Sequence, residues 1–291
     1  MTSGPPDQVP VRTVLRDATG RLRAAGVPSP DVDAAELLAH VLGCRRTSLA
    51  GLDTMPATVA EEYAALVDRR TAREPLQHLT GRTGFRHVEL AVGPGVFVPR
   101  PETEVLAGWA VDRAAEVVLD DRDPVVVDLG TGSGAIALSV ATEVPRSRVH
   151  AVEVSEDALP WAQRNLAATG VDLRLGDMAT AFHDLDGATD VVVSNPPYIP
   201  LEAFESVARE ARDHDPAAAL WSGEDGLDAM RVVEQVAARL LRPGGLVGAE
   251  HADVQGESAP SVFAAAGRWT DVRDHRDLAG RPRFVTARLA R

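Results

Sequence analysis

The chain predicts a doubly wound, mostly parallel α/β sheet behind a small helical bundle, and three observations carry that expectation. First, from Val125 onward short apolar runs near 125–129, 149–153, 172–175, 190–194 and 244–250 alternate with helical patterns, which is the signature of parallel strands joined by crossovers. Second, the run Val125-Val126-Val127-Asp128-Leu129 leads into Gly130-Thr131-Gly132-Ser133-Gly134 and then an Ala/Ile/Leu helix segment, so a flexible loop lies between a buried strand and a helix N-terminus. Third, the strand Val191-Val192-Val193-Ser194 stops at Asn195-Pro196-Pro197-Tyr198. Segments 272–274 and 284–287 are too close for a crossover helix, so they should pair antiparallel and complete a seven-stranded sheet with an antiparallel last strand.

Residues 1–9 are small, polar and proline-rich and read as a disordered tail. Residues 10–82 look all-helical: Val11, Val14, Leu15, Ala18 and Leu22 recur at three- and four-residue spacings, as do Ala35, Leu38, Ala39 and Leu42. Asp31 and Thr54 stand where N-caps belong. Residues 83–100 form a linker, with Phe85, Val88 and Leu90 and then Val96-Phe97-Val98 beyond Gly93-Pro94-Gly95 suggesting a β-hairpin. Pro101 should open a helix to about Leu119, and 101–291 is the sheet domain. Segment 200–226 is a long polar connection beside the Asn-Pro-Pro-Tyr strand, a length typical of lids and binding loops.

The ligand should lie at the carboxyl ends of the strands. Asp128, Glu153 and Asp177 each stand at such an end, in chain order. The G-x-G-x-G spacing is not the pyrophosphate pattern, yet Glu153 has the position and charge to grip two ribose hydroxyls, and Asp177 could accept from an adenine amine. At the fourth strand, the two prolines fix φ and lack N–H groups, so the Asn195 and Pro196 carbonyls can point outward unspent. With the Asn195 side-chain oxygen and the flat Tyr198 ring beside them, they suit a planar NH2 group, either a carboxamide or an exocyclic base amine.

Together these segments resemble S-adenosylmethionine-dependent methyltransferases of the amino-methylating branch. Further motifs narrow the resemblance: Arg73-Glu74-Pro75-Leu76-Gln77-His78-Leu79-Thr80-Gly81, then Gly84-Phe85-Arg86, Val96-Phe97-Val98-Pro99-Arg100-Pro101-Glu102-Thr103-Glu104, and Asp215-Pro216-Ala217-Ala218-Ala219-Leu220-Trp221-Ser222-Gly223-Glu224-Asp225-Gly226-Leu227. In this order around Asn195-Pro196-Pro197-Tyr198 the set is similar to the PrmC/HemK family, the N(5)-glutamine methyltransferases of peptide chain release factors. The resemblance runs from about Arg73 to the C-terminus. It implies a class I methyltransferase fold, S-adenosyl-L-methionine as methyl donor with S-adenosylhomocysteine as product, and a release-factor glutamine as acceptor. Carried onto this sequence, Asp128, Gly130, Thr131, Gly132, Ser133, Gly134, Glu153, Asp177, Met178 and Asn195 bind the donor. Asn195, Pro196, Pro197 and Tyr198 bind the substrate, and Asn195, Pro196 and Tyr198 act in catalysis. Two positions depart from the family pattern: relatives often have Asp at Glu153 and an aromatic residue at Met178. Residues 10–82, which hold no catalytic constellation, are then the part that recognises the protein substrate.

Net charge −13 is a poor footprint for a phosphate backbone, so no direct nucleic-acid binding is expected. All 30 basic residues are arginine, and Cys44 is the only cysteine. No apolar run reaches membrane-span length and the start is no secretory signal, so a cytoplasmic location is expected; a monomer and the lack of a metal site are separate expectations. A DNA or RNA adenine or cytosine amino methyltransferase, or a non-catalytic protein on the same fold, remain the rivals. His214 and His251 stand near the site-forming segments but read as loop or core histidines.

Overall fold

A computed structural model describes residues 7–206 and 209–290, which form two compact units. Residues 7–82 make the first: β1 (Gln8–Pro10), α1 (Val11–Ala24), α2 (Pro30–Val41), β2 (Thr54–Pro56), α3 (Ala57–Thr71) and α4 (Leu76–Thr80). Leu22, Leu37, Leu38, Tyr63 and Val67 fill its core. The bundle is not purely helical, because β1 and β2 pair antiparallel with Val9 opposite Met55. Three-residue strands are too short to show a period-two pattern, and Pro10 and Pro56 end each one. Thr54 therefore lies in a strand and caps no helix, and the expected tail is ordered from Asp7 on; residues 1–6 lie outside the described residues.

A late piece of chain completes this unit. The helix Arg209–His214 (α8 in chain order) belongs to it, held by Glu210. Arg73 grips both Glu210 oxygens, Nε to Oε1 at 2.8 Å and Nη2 to Oε2 at 2.7 Å. Arg70, only 5% exposed, adds Nη2 to Oε1 at 3.2 Å while its Nε bonds Asp33 at 2.8 Å. Burial opposes ionisation of Glu210, but the hydrogen bonds from Arg73 and Arg70 win and hold it down to about 2. Arg73 does this from a left-handed backbone, φ 73°.

The second unit takes residues 83–206 and 215–290. Strands β3 (Arg82–Phe85) and β4 (Val88–Ala91) form a two-stranded sheet. The hairpin is tighter than its glycines suggest. It turns at Arg86, φ 50°, and Val96 and Val98 bury in the core without pairing as strands. After α5 (Thr103–Leu119) the winding begins: β5 (Val125–Leu129), α6 (Ala135–Glu143), β6 (Arg148–Glu153), α7 (Leu159–Leu166), β7 (Asp172–Leu175), β8 (Thr189–Ser194), α9 (Asp228–Leu240), β9 (Leu241–Glu250), α10 (Ser258–Ala265), β10 (Trp269–Arg276) and β11 (Pro282–Leu289). The seven strands lie in the order β10-β11-β9-β8-β5-β6-β7, and β11 runs antiparallel to both neighbours. Val126, Val191 and Val193 face one core layer and Val127, Leu129 and Val192 the other, so both faces are covered, which is why these strands read as unbroken valine runs. From β5 the chain winds one way to β6 and β7, then the other way to β8 and β9. Beside β5 and β8 the strand order reverses, where open α/β sheets bind ligands.

Candidate active site

Four strand ends meet along this edge. Leu129 of β5 lies opposite Ser194 of β8 and opposite Val152 of β6, while Glu153 pairs with Leu175 of β7. The glycine loop, Glu153, Gly176-Asp177 and Asn195-Pro196-Pro197-Tyr198 are therefore neighbours on one rim.

Gly130, Gly132 and Gly134 all take positive φ, at 71°, 58° and 85°. A Cβ on Gly130 or Gly132 would meet nothing within 4 Å, so open space lies over the loop. Asp128 is 1% exposed and faces inward: its Oδ2 accepts from Thr131 Oγ1 at 2.6 Å and from the Ala137 N–H at 3.2 Å. It braces the loop from below, while Oδ1 is buried without a partner. Burial pushes its carboxyl up to about 7 against those hydrogen bonds.

Glu153 is 7% exposed, and its oxygens accept from the Gly132 N–H at 2.7 Å and the Ser155 N–H at 2.8 Å. A carboxylate offers about four lone-pair sites, so two remain for hydroxyl donors. Asp177 is exposed, with Oδ1 accepting from the Ala179 N–H at 2.8 Å. Met178 packs on the core cluster that holds Phe182 and Val152, so part of its side chain is spent on the fold. An open glycine loop, an acid with spare acceptor capacity and a second exposed acid fit an adenosyl donor.

Among the described residues no backbone N–H bonds the Asn195 or Pro196 carbonyl. The Asn195 side chain donates from Nδ2 to Thr103 Oγ1 at 3.2 Å, so Oδ1 points away from Thr103 and takes no hydrogen bond among those residues. Tyr198 donates its hydroxyl to Glu250 Oε1 at 3.3 Å, and its carbonyl accepts from Gln255 Nε2 at 3.1 Å. Burial, with Glu250 beside it, raises the Tyr198 phenol above its ordinary value, so the ring is a neutral wall.

The motifs that had no role by sequence buttress this strand. Ile199 N bonds Leu220 O at 2.9 Å and Ser222 N bonds Ile199 O at 3.0 Å. Gly226, φ 74°, lies so close that a Cβ there would meet Tyr198 O at 2.4 Å. Asp215, only 8% exposed, accepts from Arg100 Nη2 at 2.5 Å, joining two of the sequence motifs. His251 is fully buried between Ala252 O at 2.8 Å and Asp274 Oδ1 at 3.0 Å and belongs to the core. Sequence reasoning passed over Thr103 and Glu250, although Thr103 lay inside a quoted motif.

Residues 13–81 match the PrmC N-terminal domain model and residues 101–212 the methyltransferase small domain model. A release factor glutamine methyltransferase of Streptomyces coelicolor is 61% identical, covering 95% of this chain and 97% of its own. The chain belongs to the release factor glutamine methyltransferase family. Another member, from Mycolicibacterium smegmatis, is 46% identical over 97% of this chain and 99% of its own. A Streptomyces pristinaespiralis protein named as a 4-amino-L-phenylalanine/4-methylamino-L-phenylalanine methyltransferase is 40% identical, covering 88% of each chain. The hMettl16 catalytic domain, solved with an RNA hairpin, shares the fold at a TM-score of 0.52 and 15% identity, covering 69% of this chain and 75% of its own. The family's S-adenosylmethionine-dependent fold accords with the seven-stranded sheet and its one antiparallel strand.

Proposed function

We propose that this enzyme methylates the side-chain amide of the glutamine in the Gly-Gly-Gln loop of peptide chain release factors. The observation that carries the reading is the pair of unspent acceptors, Asn195 Oδ1 and the Pro196 carbonyl, at the rim beside the glycine loop. An amide nitrogen is a poor nucleophile because its lone pair is delocalised into the carbonyl. Accepting both N–H bonds, Asn195 and Pro196 hold the NH2 in the geometry that turns the lone pair toward the donor. Tyr198, anchored through Glu250, walls the amide and excludes water. Bound S-adenosylmethionine supplies an activated sulfonium methyl, so orientation carries much of the acceleration and the chain needs no dedicated base. The loop Gly130–Gly134 with Asp128 beneath it, Glu153 at the ribose, Asp177 at the adenine amine and Met178 beside it would hold the donor. On this reading the enzyme acts as a monomer in the cytoplasm, where its release-factor substrate is found.

The helical unit, residues 10–82, recognises the release factor, since a Gly-Gly-Gln loop alone offers far less than the about 1,000 Å² of a specific interface. The net charge of −13 speaks against a nucleic-acid substrate. Labelled donor, purified release factor and duplex DNA decide the matter: one added methyl on the Gly-Gly-Gln glutamine by mass spectrometry is expected, and transfer to DNA alone would overturn the reading.

A further inference from the structure

Glu250 ends β9 beside the Asn195 strand, and nothing in the reaction as described needs a carboxyl there. It is 1% exposed, with Oε1 taking the Tyr198 hydroxyl and Oε2 left without a partner. Thr103, the first residue of α5 and 2% exposed, accepts Asn195 Nδ2 at 3.2 Å and lies against the Glu250 carboxyl. A threonine hydroxyl has one proton. With a lone pair engaged by Asn195, that proton is free for Glu250, and a carboxyl keeps an acceptor oxygen whatever its charge state. Turned toward Glu250, whose Oε2 is buried and lacks a donor, that proton makes the hydrogen bonds run one way, from Asn195 to Thr103 to Glu250, with Tyr198 donating into the same carboxyl.

Direction matters because the two ends of an asparagine amide are nearly the same shape. Flipped, Asn195 would set its NH2 against the NH2 of the substrate amide, donor against donor. A hydroxyl free to donate to Asn195 Oδ1 would hold that flipped form. Thr103 cannot do so while its proton is committed to Glu250. We propose that Thr103 and Glu250 are positioning residues that lock the Asn195 amide with Oδ1 toward the substrate, and that the Val-Pro-Arg-Pro-Glu-Thr-Glu motif is placed at this edge for that purpose. The inference rests on Asn195 being the acceptor in the reading above.

The discriminating pair is Thr103→Val, which keeps the volume and loses the hydroxyl, and Thr103→Ser, which keeps the hydroxyl and loses the methyl. In the full-length enzyme, with release factor as substrate, Thr103→Val should lower kcat about tenfold, less than the roughly hundredfold loss of the acceptor itself because only its orientation is freed, while KM and calorimetric donor affinity hold. Thr103→Ser should recover most of that rate. A packing role would reverse the order, with Ser the worse variant and melting temperature falling in step; that result, or a Thr103→Val kcat equal to wild type, overturns the proposal. Asn195→Ala separates the two layers of argument: if it is inactive while Thr103→Val is normal, only this inference fails, and if it is active the acceptor reading fails as well. Should Thr103→Val not fold, Glu250→Leu decides, because it removes every acceptor for the Thr103 proton, with Tyr198→Phe, which loses only the hydroxyl that Glu250 accepts, as its baseline. A kcat reduced below that baseline with intact donor binding supports the lock, and a kcat equal to it refutes it.

Discussion

Asn195→Ala tests the acceptor pair most directly. Among the described residues Asn195 makes a single side-chain hydrogen bond, to Thr103 at 3.2 Å, and the residue is only half-buried. Its loss should therefore cost folding only about 1 kcal/mol, the net worth of a neutral hydrogen bond. The Pro196 carbonyl is untouched, so one of two acceptors disappears at the reacting nitrogen. Removal of one preorganised polar contact costs about 3 kcal/mol in the transition state, or roughly a hundredfold in rate. Initial rates should be measured with release factor at saturating labelled donor, so that any change in donor affinity drops out, alongside a thermal melt. A variant that melts near wild type and methylates within about twofold of it would show that Asn195 does not hold the amide, since a lost contact of this kind shifts rates by far more.

Other consequences are equally concrete. Glu153→Ala removes the acceptor proposed for the ribose and frees the Gly132 N–H, so calorimetry should find donor affinity weaker by about tenfold or more; unchanged affinity would name the wrong acid. Gly226→Ala drives a Cβ into the Tyr198 carbonyl at 2.4 Å from a positive φ, so it should destabilise by about 2 kcal/mol or more and lower the methylation rate, read by denaturant titration and assay. Glu210→Ala leaves Arg73 and the buried Arg70 short of their shared carboxylate, and a loss of about 2 kcal/mol is expected in chemical denaturation, less than a fully buried pair because Arg70 keeps Asp33. Burial pushes Glu250 up to about 7, above its unfolded value, so its stabilising contribution is complete at acid pH and is lost as pH rises through about 7. Denaturation of Glu250→Gln across pH 5 to 8 should accordingly show a shallower decline than wild type; an identical slope would contradict the burial argument.

Much of the fold is legible in the chain because it depends on local periodicity. Valine runs covered on both faces, helical spacings between them and the short gap before 284–287 imply the parallel sheet and its antiparallel last strand, and the structure has them. The conformations of Gly130, Gly132 and Gly134, and the unspent carbonyls after β8, follow equally from what glycine and proline permit. Local pattern fails where elements are too short to have a period, as in β1 and β2, or where one residue outvotes its neighbours, as Arg86 does in turning the hairpin. Side-chain partnerships lay beyond it altogether. The link of Arg73 to Glu210, the bridge from Arg100 to Asp215, and the hydrogen bonds from Asn195 to Thr103 and from Tyr198 to Glu250 join residues far apart in the chain. Periodicity says which face of a strand is buried, but not which strand lies beside it. Only the pairing of β8 with β9, with Thr103 at the start of α5, brought an acid, a hydroxyl and an amide to one edge.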